Sequence, residues 1–296
     1  MSPPPDEIAR NAALRAGFTL IELSVVLVII GLIVGGVLVG QDLIKAAQVR
    51  AQITQIERYN TAVNTFRVKY GYLPGDIPNP DATTFGFAAR GPNAGEGDGN
   101  GLLEGWNGVG ASGSIVGNEI TTFWSDLGTA GLIEGTFYGN PTVCDTVLVT
   151  LHPPSRYWPP AKLGQGNYVY GWSTNSTNLF GIAVPTGSTG ACQMEFSAGL
   201  SVQQAYAIDA KIDDGFPQTG TVTAILPHPN TNYAWAGTNT YNVGPYTTAT
   251  AGSAGTCFDN SSAGSGTPGV GGAIQHYSLE ISSGSNVNCA LSFQFQ

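Results

Sequence analysis

The chain has 296 residues, 41 of them Gly and 18 Pro, with 10% charged residues and a formal net charge of −9; globular chains average about 25% charged. A hydrophobic fraction of 42% is too high for a disordered chain, and the glycines show no three-residue period, which excludes a collagen-like triple helix. The acidic balance argues against a nucleic-acid partner, which needs clustered Lys and Arg to neutralise phosphates.

The charge is segregated along the chain. Gln41–Tyr70 carries five basic residues against Asp42 and Glu57, whereas after Tyr70 only Arg90, Arg156, Lys162 and Lys211 oppose fifteen acids. Residues 1–17 are a polar leader with Arg10 and Arg15. Phe18–Gly40 reads FTLIELSVVLVIIGLIVGGVLVG, with Glu22 its one ionisable side chain. As a helix this run spans roughly 34 Å, enough for a bilayer core of about 30 Å. The two arginines bias the N-terminus toward the cytoplasm and send the rest of the chain across. No small-residue cleavage site ends the apolar run, as it would in a secretory signal peptide.

Instead the run passes into Gln41–Tyr70, free of Gly and Pro, where Val49, Ile53, Ile56, Val63, Phe66 and Tyr70 recur at helical spacings. One continuous helix over Phe18–Tyr70 is expected, apolar all round at first and amphipathic afterwards. Gly31, Gly35, Gly36 and Gly40 weaken it by about 1 kcal/mol each. They also form small-x-x-x-small pairs that let helices approach closely.

The segment YGYLPGDIPNPD ends this helix. Beyond it the pattern predicts strands at Thr146–Leu151, Asn167–Trp172, Leu179–Val184, Thr221–Leu226 and Tyr277–Ile281. Helices are predicted over Glu119–Ala130, with Ile120, Phe123, Trp124 and Leu127 on one face, and over Ser201–Asp213, opened by Ser201 and Gln204 in capping-box spacing. Gly237–Gly272 reads as long surface loops. The fold class is α+β: a long N-terminal helix packed on a mostly antiparallel sheet. Four segments follow: 1–17 leader, 18–40 membrane or assembly helix, 41–70 stem, and 71–296 β-rich head.

Glu22 is expensive in an apolar core, by about 3 kcal/mol, so it needs a partner or a task. The residues around it, Gly17-Phe18-Thr19-Leu20-Ile21-Glu22 ahead of the long apolar run, resemble the prepilin cleavage and methylation site of type IV pilins and type II secretion pseudopilins. The resemblance implies cleavage after Gly17 by a prepilin peptidase and N-methylation of Phe18. It also implies that Glu22 pairs with a neighbouring subunit's Phe18 amine, setting assembly register. The partners implied are further pilin subunits and the inner-membrane assembly machinery. The implied location is the bacterial inner membrane as a precursor, then a periplasmic or extracellular filament. The chain departs from many type IV pilins in its longer leader and in lacking a proline late in the apolar run, where Val39 stands. YGYLPGD, GDGNG, FWSDLGTAGLIEG and DAKIDDGFPQTG resemble a recurring subgroup of large pilin-like proteins.

Cys144, Cys192, Cys257 and Cys289 lie in the portion predicted outside, allow three pairings, and read as two disulfides in an oxidising compartment. Sequence proximity favours Cys144–Cys192 and Cys257–Cys289. A C-terminal loop closed by the second pair resembles the disulfide-closed end region of many pilins. Glu96, Asp98, Asn100 and Glu104 space oxygen ligands like the start of a calcium loop, but Asn107 stands where a full loop has a bidentate Glu. Calcium here competes with a plain exposed turn. Asp209, Asp213 and Asp214 form a second acidic group, read as a helix end and a turn.

No Gly-x-Ser-x-Gly elbow, P-loop or His-Glu-x-x-His is present, so the sequence points to a structural subunit rather than an enzyme. His152, His228 and His276 read as loop residues. Trp106, Trp124, Trp158, Trp172 and Trp235 read as core rather than as a sugar platform. Two rival roles stay open: a minor pilin or pseudopilin, favoured by the large mature chain from Phe18 to Gln296, and a filament-displayed adhesive or glycan-binding head.

Overall fold

The computed structural model describes residues 19–105, 118–139, 153–189, 193–228, 231–236, 257–258 and 275–295. The chain divides into two units at Ala46/Ala47. Helix α1 runs Leu20–Tyr70, as the glycine- and proline-free second half demands. Gly71 ends it in the left-handed conformation (φ 82°), its N–H returning to the Arg67 carbonyl at 2.8 Å, a common helix stop. In the first unit every large apolar side chain of α1 from Leu20 to Ile44 is at least half exposed.

From Val49 onward α1 buries one face: Val49, Ile56, Tyr59, Ala62, Val63 and Phe66. The predicted Ile53 and Tyr70 are only partly buried at its edges. Two glutamines share the buried face, contrary to a purely apolar stripe. The Gln55 side chain donates to the Pro160 carbonyl (3.0 Å) and accepts from Lys162 N–H (3.1 Å). Gln52 accepts from Leu163 N–H (3.3 Å). The helix thereby supplies hydrogen-bond partners to backbone groups of the 160–163 loop, which packing against α1 would otherwise strip of water.

A four-residue helix α2 (Asp81–Thr84) precedes α3 (Asn118–Thr129), whose Ile120, Phe123, Trp124 and Leu127 are buried as their spacing predicts. Trp124 meets Tyr59 of α1 edge-on, ring centroids 4.8 Å apart. The strands are β1 (Tyr168–Thr174), β2 (Thr177–Thr189), β3 (Gln193–Ser197) and β4 (Leu200–Ser201). Helix α4 (Val202–Ile212) follows, its N-terminus closed by the expected Ser201–Gln204 capping box. Then come β5 (Val222–Thr223), β6 (Ile225–His228), β7 (Thr231–Trp235), β8 (Val287–Cys289) and β9 (Leu291–Gln294).

The main sheet has the order β1-β2-β9-β5, with β3 on the far half of β2, and every pairing is antiparallel. The β1–β2 hairpin turns on Asn175 and Ser176, both at positive φ (48° and 59°), as a two-residue primed turn requires. β6 pairs β7 and β4 pairs β8 in separate ribbons.

Two strand expectations need correction. Thr221–Leu226 is two strands with different partners, because β5 joins β9 while β6 joins β7. Tyr277–Ile281 is not a strand. Only Tyr277 forms a bridge, to Phe258, and the chain then turns into a single 3-10 turn at Ser282–Gly284. The predicted strand at Thr146–Leu151 lies outside the described residues, as does the predicted loop region Gly237–Gly272 apart from Cys257 and Phe258. Trp124, Trp158, Trp172 and Trp235 are all buried in the core, so they offer no exposed platform; Trp106 lies outside the described residues.

Replacing Gln55 by Ala should leave the Pro160 carbonyl and the Lys162 N–H without their partner. The expected cost is about 1–3 kcal/mol, read as a lowered thermal midpoint of the detergent-solubilised chain. A midpoint unchanged within error would show that the glutamine clamp is dispensable.

Candidate functional site

The first candidate site is the start of α1. Thr19 and Glu22 form a reciprocal capping box: Glu22 Oε2 accepts from Thr19 N–H (2.8 Å) and Thr19 Oγ1 (2.7 Å), and Glu22 N–H reaches Thr19 Oγ1 (3.3 Å). Donors exposed by the first helical turn are thus met by the one acid in the apolar run. The sequence reading did not assign Thr19 this role, although a threonine three residues before a glutamate is the capping-box signal. Gly17 and Phe18 lie outside the described residues. The helix behind Glu22 is long and apolar enough to cross a membrane.

The second candidate is the loop system around α3. The four expected calcium ligands do not converge as one set. Glu96 Oε2 accepts from Asn93 through both its N–H and its Nδ2, each at 3.0 Å. Glu104 Oε2 accepts from Asn100 Nδ2 at 2.8 Å. Asn100 also donates to both oxygens of Asp98, through its N–H (3.0 Å) and its Nδ2 (3.2 Å). The acids actually gathered are Asp98, Asp76 and Glu119, each with an oxygen within 4.8 Å of the others.

Asp76 Oδ1 accepts from Gly99 N–H (2.6 Å) and Oδ2 from Gly101 N–H (2.7 Å). Glu119 accepts from Gly97 N–H (2.9 Å) and Glu104 N–H (2.8 Å). Asp126 takes Gly75 N–H (2.7 Å) and, in a buried ion pair, Arg90 (2.6 Å). The motifs YLPGD, GDGNG and FWSDL are therefore interlocked: Asp76 of the first binds backbone of the second, and Asp126 of the third binds backbone of the first. Gly75 sits so close to α3 that a Cβ would lie 2.5 Å from the Glu119 carbonyl oxygen.

Burial raises the carboxyl of Asp76 to about 6 and, with Asp76 alongside, pushes that of Glu119 well above the usual range. Among the described residues no salt bridge reaches these two acids. A shared proton or a hard divalent cation would relieve their repulsion. The oxygens that could hold such a cation are those of Asp76, Asp98 and Glu119.

The second acidic group, Asp209, Asp213 and Asp214, also has an oxygen of each acid within 4.8 Å of the others, and each carboxylate accepts from neighbouring backbone. Asp213 Oδ2 accepts from Val222 N–H (3.1 Å) and also from Thr221 N–H, while Asp214 accepts from Phe216 N–H (2.8 Å) and Thr219 Oγ1 (2.6 Å). Asp209 is buried at the end of α4, where its carboxylate accepts from Tyr277 Oη (2.7 Å) and Gly215 N–H (3.2 Å). Burial, with Asp214 and Asp213 nearby, raises it to about 7. The Cys257–Cys289 disulfide is formed next to this contact, since Ser278 N–H donates to the Cys257 carbonyl. Cys144 and Cys192 lie outside the described residues.

Because the folded-state value of Asp209 is raised, the stability it contributes is complete below about pH 4, its unfolded range. That stability is lost as pH rises through 7. Asp209→Asn should therefore remove part of the fall in thermal midpoint between pH 4 and 8, leaving the midpoint at pH 4 little changed. An identical pH profile in the variant would mean that Asp209 is not the titrating group.

No curated protein and no solved structure matches the chain. Residues 13–38 match the family described as the prokaryotic N-terminal methylation motif. That match covers Glu22, its capping threonine and most of the exposed apolar run. The N-terminal segment of this chain is thus a prepilin signature, that of type IV pilin-like and pseudopilin precursors.

Proposed function

We propose that the chain is a structural subunit of a type IV pilus-like filament. It is made as an inner-membrane precursor, cleaved after Gly17 by a prepilin peptidase, N-methylated at Phe18 and polymerised through α1. The observation that carries this reading is the methylation motif at residues 13–38 ahead of an apolar helix whose side chains are exposed in the single chain. In the assembled state Glu22 exchanges its Thr19 contacts for the Phe18 amine of a neighbouring subunit. Two costly charges then neutralise each other in one register only, so the pair acts on specificity more than on bulk stability. The acidic head faces outward, and the Cys257–Cys289 disulfide suits an oxidising compartment. The large head also fits a minor subunit or a secretion pseudopilin, which differ from a major pilin in abundance rather than in processing.

Mass spectrometry of sheared surface material and of membranes tests the proposal through the N-terminal peptide. An N-methylated Phe18 terminus abundant in sheared filaments is expected for a major pilin, and one confined to membranes for a minor subunit or pseudopilin. An intact leader in both fractions would overturn the proposal. Glu22→Ala should abolish or misregister filaments while the Cys257–Cys289 disulfide still forms; normal filaments from this variant would remove the register role.

A further inference from the structure

The head carries a groove of about 920 Å³ beside α1, bordered by the Gln55 clamp and given no occupant by the features above. Its floor is the exposed side of α1, where Ala51, Thr54, Arg58, Thr61 and Thr65 follow one another at spacings of three and four. Apart from Arg58 these side chains are short, so the helix backbone lies close to the groove. One wall is apolar: Leu132, Ile133 and Phe137, half-buried and packed against the core on their other side. Lys162 and Pro160 close one end, in the loop that Gln55 clamps. The charged lining is balanced, Glu57 and Glu134 against Arg58 and Lys162.

Three properties of the groove select its occupant. From Ala51 to Thr65 the floor is about 21 Å long, the length of a helix of some four turns. A floor of small residues accepts a helix that is itself smooth, because close backbone approach needs small side chains on both faces. A balanced lining suits a segment bearing one charge of each sign and disfavours the acidic surface of the head.

The chain contains such a segment. Leu32–Lys45 is helical, equally long, and has Gly35, Gly36 and Gly40, around which a Cβ would meet nothing within 4 Å in the single chain. Leu43 and Ile44 are 67% and 60% exposed. Asp42 and Lys45 place opposite charges about one turn apart, complementary to a lining that carries both signs.

We propose that the groove of one copy receives the Leu32–Lys45 segment of a second copy, glycine face to the α1 floor and Leu43 and Ile44 to the Leu132–Phe137 wall. The inference rests on the filament reading and adds to it a seat on the head for a neighbour's helix. Lateral contact between subunits is then not confined to the apolar helices, and the loop at 132–137 becomes part of the assembly surface.

The test is p-benzoylphenylalanine in place of Thr61, and separately of Thr54, in the full chain in cells that assemble it. Formation of Cys257–Cys289 serves as the check on folding. Irradiated sheared filaments should yield a dimer band whose adduct maps to residues 32–45. Adding Gly40→Phe to the same chain should reduce that dimer at least tenfold. An adduct on another segment of a second copy, on a different protein, or no dimer from folded and assembled chain would overturn the groove assignment while leaving the filament intact. Absence of filaments and of a Phe18 terminus in the unsubstituted chain would instead sink the filament reading, and the groove assignment with it.

Discussion

Apolar surface without a partner is the constraint to which the rest of this protein answers. Seventeen large aliphatic side chains between Leu20 and Ile44 are each at least half exposed in the single chain. Burying such a side chain fully is worth about 1.5–3 kcal/mol, so the unmet stabilisation is on the order of tens of kcal/mol. That exceeds the net stability of an ordinary domain, about 5–15 kcal/mol. The helix therefore calls for an apolar surrounding that the single chain does not supply, and at its start Thr19 already satisfies its one acid, Glu22.

Beyond Ala47 the same helix has the opposite task. One face binds the head, and it does so with a mixture of greasy and polar contacts. Phe66, Tyr59 and Ile56 fix the helix by packing, while Gln52 and Gln55 fix which backbone atoms of the 160–163 loop lie against it. Dispersion and burial give the magnitude of the interaction, and directional hydrogen bonds give its register. Around α3 the division is similar: Trp124 and Phe123 fill space, while Asp76, Glu119 and Asp126 staple two glycine-rich loops, the second of which is also tied to the sheet by Ser173 and Asn178.

Much of this was legible in the sequence where the signal is local. The period of Val49, Ile56, Val63 and Phe66, the absence of Gly and Pro from 41 to 70, and the Ser201–Gln204 spacing each act within a turn or two of helix. With the spacing of Ile120, Phe123, Trp124 and Leu127 they predict α1, α3 and α4 to within about two residues. The pairing of Cys257 with Cys289 was favoured by proximity alone, and the fold joins them. What failed was non-local. YSLEI at 277–281 alternates like a strand, but Tyr277 is committed to Asp209, 68 residues away, and the chain turns at once. Strand β9 escaped notice because Leu291 and Phe293 are too short a pattern without their partners in β2 and β5. The acidic site was half legible: Asp98 stands in a recognisable loop, yet Asp76 and Glu119 come from either side of it, and only the fold shows that they face it.

The position of β9 also bears on how the head comes into being. Leu291–Gln294 lies between β2 and β5 in the main sheet, pairing Leu179 with Gln294 and Val222 with Phe293. A strand that follows both its partners in the chain thus occupies the middle of the sheet rather than its rim. Until β9 is in place, β2 and β5 have no common neighbour and each leaves an edge open, the kind of exposed edge that invites wrong pairing. Closure of the sheet joins strands with more than 100 residues between them, β2 and β9, and is intrinsically slow. A head of this topology therefore stays open at its centre until Leu291–Gln294 is in place, whichever of its other strands have already paired.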